Sequence, residues 1–285
     1  MGMKNRKKVL LTGATGFLGS AHQPVLEKDF EVISLGNRSC PPGGIQSDLT
    51  QHGEVERLLE SVTPDIVVHT AAIREPDLCE EDPQRAKEIN TLLPARFAKL
   101  LPDHARLLHI STDYVFDGTR PPYSEKDEVS PINIYGITKA EAEQYVLSHP
   151  GGIVLRIPVL IGAGPGFIQQ MVEALENNES QEIDDVLIRH PTWIQDVAHI
   201  SAWLLSTERT GIWHASSERG ETRYGCTKRV AEVLGLSWDH LSPSKAVLPR
   251  KATRPLNSNL SPEKLLQAGG PRCRELDEVV RLLYR

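Results

Sequence analysis

The chain has 285 residues, which is enough for one large α/β domain or for a nucleotide-binding domain with a smaller partner. Its hydrophobic fraction of 39% and charged fraction of 25% are ordinary for a globular protein that folds in water. The formal net charge of -6, without a basic stripe to neutralise phosphates, excludes a nucleic-acid-binding protein.

The N-terminal sequence and the cysteines indicate a cytoplasmic protein. The apolar run that starts at Lys8 stops at Thr12, so it is a strand, too short for a signal peptide or a membrane span. The four cysteines are widely spaced and the histidines lack metal-ligand spacing. We therefore expect reduced thiols in the cytosol, with no disulfide framework, no metal site and no membrane association.

A glycine-rich turn follows the first predicted strand, Lys8 to Thr12. It reads GATGFLG and leads into a helical pattern. Glycine lets the backbone turn tightly and approach a pyrophosphate closely, and the N-terminus of the following helix favours the negative charge. The turn therefore predicts a dinucleotide site, with an ordinary strand-to-helix turn as the alternative. The residues that we assign here to the cofactor are Gly13, Thr15, Gly16, Phe17 and Leu18.

The end of the second predicted strand, Glu31 to Leu35, bears on the choice between NAD and NADP. An acidic residue at this position binds the ribose 2′-hydroxyl of NAD, whereas a basic residue accommodates the 2′-phosphate of NADP. The sequence has no acid there but has Arg38, which favours NADP(H), with a solvated loop arginine as the alternative. Asp48 and Leu49 are also assigned to the cofactor. Asp48 either binds the adenine amino group or caps the following helix.

Strands and helices alternate along the chain. The predicted strands after the second lie at 65–69, 107–110, 152–156 and 211–214, and the predicted helices at about 51–61, 83–101, 167–176, 222–234, 261–267 and 274–284. This alternation predicts an α/β fold with a doubly wound parallel sheet, a Rossmann fold with right-handed crossovers. Ala71 and Ala72 follow one of these strands and permit close approach of a cofactor, to which Ile157 is also assigned.

The second half of the chain is less regular and is predicted to cap the first. We divide the chain into an NADP-binding Rossmann domain, residues 1–156 with about 190–214, and a substrate-binding cap, about 157–189 with 215–285. A small-molecule substrate should lie in the cleft between them. The sequence leaves a homodimer open.

The segment from 109 to 139 contains the candidate catalytic residues. Tyr135 and Lys139 are four residues apart on a predicted helix, so both side chains can point at the same small volume. A phenol beside an ammonium suits proton transfer, because the charge favours the phenolate and brings its pKa toward the working pH. Thr112, at the end of a predicted strand, offers a hydroxyl to a substrate carbonyl. Such pairs also occur by accident, and a Ser-Thr pair is often a turn or a cap.

Motifs over nearly the whole chain resemble the extended short-chain dehydrogenase/reductase superfamily. Within it the chain is similar to the dTDP-4-dehydrorhamnose reductase group, which also includes the regulatory β subunit of methionine adenosyltransferase. The residues that carry the resemblance are Thr12 to Gly19, Pro64 to Val67, Asn90, Ser111 to Gly118, Ser130-Pro131, Tyr135-Gly136, Lys139, Leu155-Arg156, Pro191-Thr192, Asp196 to Ala198 and Arg254 to Leu260.

The resemblance implies that Thr112, Tyr135 and Lys139 form the catalytic trio. NADPH would deliver hydride to the C4 carbonyl of a nucleotide-linked 4-keto-6-deoxysugar, and Tyr135 would protonate the forming alkoxide. Lys139 would hold the nicotinamide ribose and lower the pKa of Tyr135, while Thr112 would orient the carbonyl. Tyr135 and Lys139 are thus assigned to the cofactor site as well as to catalysis. Two alternatives stay open. One is a regulatory subunit that binds NADP and modulates a partner enzyme, and the other is a reductase or epimerase of a different small ketone.

Overall fold

The computed structural model describes residues 6–164, 166–177, 179–246 and 250–284. A seven-stranded sheet forms its centre, and two pairs of short strands lie outside it. The strands in chain order are β1 Lys8–Thr12, β2 Glu31–Gly36, β3 Ile45–Gln46, β4 Ile66–His69, β5 Arg106–Thr112, β6 Gly152–Ile157, β7 Leu160–Ile161, β8 Gln181–Asp184, β9 Thr192–Trp193, β10 Gly211–His214 and β11 Leu241–Ser244.

The central sheet has the strand order β10-β6-β5-β4-β1-β2-β3, and every pairing in it is parallel. This order confirms the predicted doubly wound sheet. The order reverses between β1 and β4, so a crease opens there at the carboxyl edge, where such sheets bind their ligands. The strands β4, β5 and β6 are buried along their whole length, as expected for a parallel sheet that is covered on both faces.

Helices cover both faces of this sheet. In chain order they are α1 Gly19–Leu26, α2 Glu54–Val62, α3 Pro76–Glu81, α4 Pro83–Lys87, α5 Leu93–Leu100, α6 Ile134–Ser148, α7 Phe167–Glu176, α8 Ile194–Leu205, α9 Arg223–Leu234, α10 Glu263–Gln267 and α11 Leu276–Leu283. The apolar side chains of α1 and α8 pack on one face, and those of α2, α5 and α6 pack on the other. No helix in the described ranges is long and apolar enough to cross a bilayer.

A third hydrophobic cluster lies outside the central sheet. Buried side chains of α7, α9 and α11 meet there, among them Met171, Val230 and Val280. The parallel pair β8 and β11 contributes Ile183 and Leu241 to the same cluster. The division of the chain into a cofactor domain and a cap, with the boundaries given above, stays a prediction.

The helix predicted over about 83–101 is present, but it is not a regular α-helix throughout. The segment consists of α4, one turn of π-helix at Glu88–Leu92, and α5. Pro94 has no N–H to donate to the Asn90 carbonyl, so the regular α-helical pattern cannot continue there. The Asn90 side chain is buried and bonds both backbone groups of Ile73, with its Oδ1 2.9 Å from N and its Nδ2 3.0 Å from O. This turn therefore attaches the helix to the segment that follows β4.

Candidate active site

The predicted catalytic residues lie where β5 ends and α6 begins. Thr112 is the last residue of β5, and a 3₁₀ turn at Asp113–Val115 follows it. The start of α6 is fixed by Asn133, whose side-chain oxygen accepts a hydrogen bond from Gly136 N at 2.8 Å. The amide nitrogen of Asn133 donates to the Thr253 carbonyl at 2.8 Å, so the C-terminal segment holds this turn in place.

A cleft of about 360 Å³ opens beside these residues. Its walls come from the glycine turn, the ends of β5 and β6, the first turn of α6 and the start of α7. The lining residues are Phe17, Arg74, Pro76, Thr112, Asp113, Tyr114, Tyr135, Ile157, Pro158, Val159, Leu160, Gly166, Phe167, Gln170 and Arg189. Four of the residues assigned from sequence, Phe17, Thr112, Tyr135 and Ile157, thus face one volume.

Thr112 is engaged with both of its neighbours in this cleft. Its hydroxyl donates to Asp113 Oδ1 at 3.0 Å, and its oxygen accepts a hydrogen bond from Tyr114 N at 3.2 Å. The second carboxylate oxygen of Asp113 accepts a hydrogen bond from Ser258 Oγ at 2.5 Å. Burial raises the pKa of Asp113, and these hydrogen bonds partly oppose that rise. The Thr112 hydroxyl is therefore held in place while it remains at the cleft wall.

From the sequence we expect a charged neighbour to lower the pKa of Tyr135, but in the structure the effect of burial is larger and the net shift of the pKa is upward. Burial raises the pKa of Tyr135 well above its ordinary value, and a hydrogen bond with the Thr112 side chain opposes this only in part. The nearby Asp113 carboxylate raises it further. The phenol is consequently protonated at neutral pH, which makes it a proton donor rather than a base.

Lys139 lies one turn beyond Tyr135 on α6, with its side chain buried against the sheet. Its Nζ donates to the Ile110 carbonyl at 2.6 Å and lies 2.9 Å from His109 Nε2. Burial lowers the pKa of Lys139 to about 7, although the charge of Glu143 acts in the opposite direction. The amine is thus bound to β5, and the contact with His109 was not anticipated from sequence.

The carboxyl edge of the sheet fits a dinucleotide between β1 and β4. Gly13 has φ +69°, and a Cβ there would lie 2.9 Å from Ala71 N, so the turn packs directly on the end of β4. Thr15 and Gly16 are exposed at the tip of the turn, while Ala71 is half-buried and Ala72 exposed beside it. A surface of backbone and small side chains is what close approach to a pyrophosphate requires.

The remaining cofactor assignments fall at the same edge with different exposure. Arg38 is exposed after β2, as an arginine for a 2′-phosphate must be. Leu18 and Leu49 have buried side chains in the two sheet cores, so only their backbone can face a ligand. Asp48 accepts hydrogen bonds from Thr50 N at 3.0 Å and Thr50 Oγ1 at 2.7 Å, which closes a turn.

Asp48 does not cap α2 directly. That helix begins at Glu54 after Gly53, and Glu54 accepts hydrogen bonds from the Arg57 side chain, with Nε 2.8 Å from Oε2. These hydrogen bonds lower the pKa of Glu54 to about 2. The adenine role of Asp48 stays a prediction.

Two arginines that sequence reasoning missed line the cleft. Arg189 donates from Nη1 to the Pro255 carbonyl at 3.1 Å, and its guanidinium carbon lies 5.9 Å from the centre of the Tyr114 ring. Arg74, which follows β4, is two-thirds exposed and pairs with Glu75 at 3.0 Å. Neither lies in a recognisable motif, so only the folded chain brings them together. They give the cleft a positive rim.

The strand order, the glycine turn and the Tyr-Lys pair define a Rossmann-fold protein of the extended short-chain dehydrogenase/reductase type. Residues 7–284 match the family model described as the RmlD substrate binding domain. The chain belongs to that family, and the resemblance inferred from sequence is confirmed.

Two kinds of protein are among the relatives that are similar over most of the chain. The methionine adenosyltransferase 2 subunit beta of Danio rerio is 35% identical over 272 residues, which cover 91% of this chain and 84% of that protein. The crystal structure of a dTDP-4-dehydrorhamnose reductase from Clostridium acetobutylicum superposes with TM-score 0.87 and 28% identity, covering 97% of this chain and 98% of the other. The dTDP-4-dehydrorhamnose reductase of Bacillus anthracis, solved in complex with NADP, gives TM-score 0.87 and 25% identity over 98% and 99% of the two chains.

Proposed function

We propose that the protein is an NADPH-dependent reductase of a ketone on a nucleotide-linked sugar, with a dTDP-4-keto-6-deoxyhexose as its substrate. The proposal rests on one observation: the phenol of Tyr135 and the hydroxyl of Thr112 share the wall of a cleft with the glycine turn residue Phe17. Both a hydride donor at the sheet edge and a carbonyl in the cleft would be within reach of that wall.

The cofactor and the side chains supply different parts of the reaction. When bound, NADPH supplies a hydride to the carbonyl carbon. Tyr135 donates its phenolic proton to the carbonyl oxygen as negative charge develops there. Thr112 turns its hydroxyl from Asp113 to the same oxygen, and Asp113 keeps the hydrogen bond from Ser258. Two donors aimed at the developing alkoxide stabilise it by several kcal/mol relative to the ground state.

Lys139 acts behind Tyr135 in this scheme. Its ammonium would hold the nicotinamide ribose and stabilise the phenolate that remains after proton transfer, because opposite charges at short range favour each other in a buried site. Because burial lowers the pKa of Lys139 to about 7, the reaction should slow as the pH rises through that value and the ammonium loses its proton.

The positive rim supports a substrate that carries a diphosphate. Arg74 and Arg189 line the cleft, and Arg223 donates a hydrogen bond at 2.9 Å to Gln170, which also lines it. Guanidinium groups bind phosphate oxygens in a forked geometry. The aromatic rings of Tyr114 and Phe167, also at the wall, suit the flat base of a nucleotide.

The test is the consumption of NADPH by the purified protein with a dTDP-linked 4-keto-6-deoxysugar, with NADH in parallel. Tyr135→Phe serves as the control variant, because it removes the acidic proton and keeps the ring. We expect turnover with NADPH that falls by roughly 10²- to 10⁴-fold in this variant while NADPH affinity stays near the wild-type value. Turnover that persists in Tyr135→Phe would contradict the role of the phenol.

A second candidate is a subunit that binds NADP(H) and modulates a partner enzyme without turnover. The identity of 35% to a methionine adenosyltransferase 2 subunit beta favours it. Its test is the same binding and turnover experiment together with co-expression of a methionine adenosyltransferase catalytic chain. NADPH binding without consumption, and co-elution with that chain in size-exclusion chromatography, would favour the subunit over the reductase.

A further inference from the structure

The Lys139 amine has two hydrogen-bond partners, and both belong to β5. Nζ lies 2.6 Å from the Ile110 carbonyl oxygen and 2.9 Å from His109 Nε2. An ammonium has three N–H groups, so these contacts use two of them and leave one that β5 does not bind. The amine is thus oriented by two adjacent residues of one strand.

We propose that His109 is a positioning residue for the proposed reduction: its Nε2 accepts a hydrogen bond from Lys139 and holds that amine on β5 as an ammonium beside Tyr135. This inference rests on the proposed function, since it concerns how Lys139 is prepared to act there. A neutral acceptor bonded to an ammonium favours the charged form, and it does so where burial disfavours that form.

His109 is suited to accept because it is itself neutral. Burial, the charge of Lys139 and the neighbouring His69 all lower the pKa of His109 well below its ordinary value. His69 on β4 stands opposite His109 in the strand register, and the two rings stack with centres 5.6 Å apart at 18°. Since Nε2 accepts, the ring proton belongs on Nδ1, which has no hydrogen-bond partner among the described residues.

The other ionisable groups around Lys139 do not replace this acceptor. They are His69 on β4, Cys79 in α3, and Tyr135 and Glu143 on α6. Glu143 is already bound to Arg156 and to Ser111, with Arg156 Nη2 2.7 Å from Oε2 and Ser111 Oγ 2.5 Å from Oε1.

Burial raises the pKa of the Cys79 thiol to about 11, so it is neutral, and it accepts no hydrogen bond from the lysine. Across the part of the chain that the structure describes, His109 is thus the side chain hydrogen-bonded to Lys139.

The experiment compares His109→Phe with His109→Gln. Phenylalanine keeps a flat ring against His69 and removes the acceptor, whereas the glutamine oxygen can accept from Lys139. We expect the midpoint of the alkaline fall in kcat/KM to move to lower pH by about one unit in His109→Phe, the size of one hydrogen bond to a charged group. In His109→Gln the midpoint should lie close to the wild-type value, because the acceptor is restored. If His109 had only a structural role, glutamine would not restore the midpoint.

A second readout needs neither substrate nor turnover. The titration of Lys139 is followed by NMR of protein labelled with ¹³C at lysine Cε, and Lys139→Met assigns the signal. The ionisation midpoint should fall in His109→Phe and stay near wild type in His109→Gln. Long-range ¹H–¹⁵N spectra of wild-type protein labelled in its histidines should show the proton of His109 on Nδ1, and this measurement requires no variant to fold.

Equal midpoints in wild type and His109→Phe, equal shifts in both variants, or a His109 proton on Nε2 would each overturn the proposal. A wild-type protein that consumes no NADPH with the ketosugar would contradict the reductase function alone. The NMR midpoints would still decide whether His109 holds the lysine, so the two failures are distinguishable.

Discussion

Gly136 lies directly against the carbonyl oxygen of Tyr114: a Cβ at Gly136 would stand 2.1 Å from that oxygen. The backbone of the first turn of α6 therefore packs directly on the backbone of the turn after β5 at this point. The neighbouring side chains follow this contact, because the rings of Tyr114 and Tyr135 meet edge to face with centres 6.0 Å apart at 73°. The position of the candidate acid thus depends on a glycine that has no chemistry of its own.

Replacement of Gly136 should impair turnover by displacing the site residues. In an exposed helix Gly→Ala gains up to about 1 kcal/mol, but in Gly136→Ala the new methyl must push α6 away from Tyr114. We expect kcat to fall by roughly tenfold or more, since small displacements of a reacting group are costly. NADPH binding should change less than turnover, because most residues assigned to the cofactor lie outside α6, in the glycine turn and after β2 and β4. Steady-state kinetics and a binding titration measure both quantities.

Ile137→Ala is the matched control for this prediction. Ile137 is the next residue on α6 and is 38% exposed, so its truncation leaves the contact with Tyr114 unchanged. A Gly136→Ala protein that turns over like Ile137→Ala would mean that the backbone contact does not position Tyr135.

Arg38 should determine the preference for NADPH over NADH. It is exposed after β2, and no acidic side chain takes the corresponding place in the sequence. A charge-assisted hydrogen bond to phosphate contributes about 1.5–3 kcal/mol, so Arg38→Ala should weaken NADPH by roughly 10- to 100-fold. NADH lacks the 2′-phosphate and should be affected much less. Fluorescence titration with both cofactors is the measurement, and equal losses would remove the basis for selectivity.

The parallel sheet was predictable because each inner strand is a short apolar run between turn signals. Ile66–His69 and Gly152–Ile157 are packed on both faces, so their apolar sequences alone predict buried parallel strands. The π-helical turn at Glu88–Leu92 was not predictable in this way. It depends on Pro94 and on a hydrogen bond between Asn90 and Ile73, which are 17 residues apart.

The site was predictable only where its residues share one short motif. Thr112 and Tyr135 belong to contiguous patterns next to a strand end and a helix start. Arg189 and the contact between Lys139 and His109 join distant segments, so they follow from strand register and helix packing rather than from spacing. The raised pKa of Tyr135 likewise comes from burial, which cannot be read from the sequence.

Glu143 and Arg156 form a buried ion pair whose disruption should be costly. Arg156 donates to both carboxylate oxygens, with Nε 2.9 Å from Oε1 and Nη2 2.7 Å from Oε2, and both side chains are almost fully buried. Glu143→Gln leaves the guanidinium without a counter-charge, so the free energy of unfolding should fall by about 3–5 kcal/mol. Denaturant unfolding monitored by circular dichroism gives this quantity.

Glu141→Gln provides the control on the same helix. Glu141 pairs with Lys87 at 3.4 Å, and the two side chains are 40% and 56% exposed, respectively. Its loss should change the free energy of unfolding by less than about 1 kcal/mol. If the two variants lost similar stability, burial would not be the source of the cost at Glu143.

His22 should make the protein less stable in mild acid. Its ring joins α1 to α8, with Nδ1 3.0 Å from the Leu18 carbonyl oxygen and Nε2 2.9 Å from Ser201 Oγ. Burial lowers the pKa of His22 from 6.5 to about 4. As the pH falls below 6.5, His22 is protonated in the unfolded chain but stays neutral in the folded chain. The free energy of unfolding therefore decreases until the pH reaches about 4, where His22 of the folded chain is protonated too.

The expected loss from this one histidine is about 3 kcal/mol over that interval. In His22→Gln, urea unfolding at a series of pH values should show a shallower decline, because glutamine can bond the same two partners without titrating. His199→Gln, at an exposed position of α8, should decline as steeply as wild type. Parallel curves for wild type and His22→Gln would show that the acid sensitivity arises elsewhere, and buried His69 and His214 would be the next residues to replace.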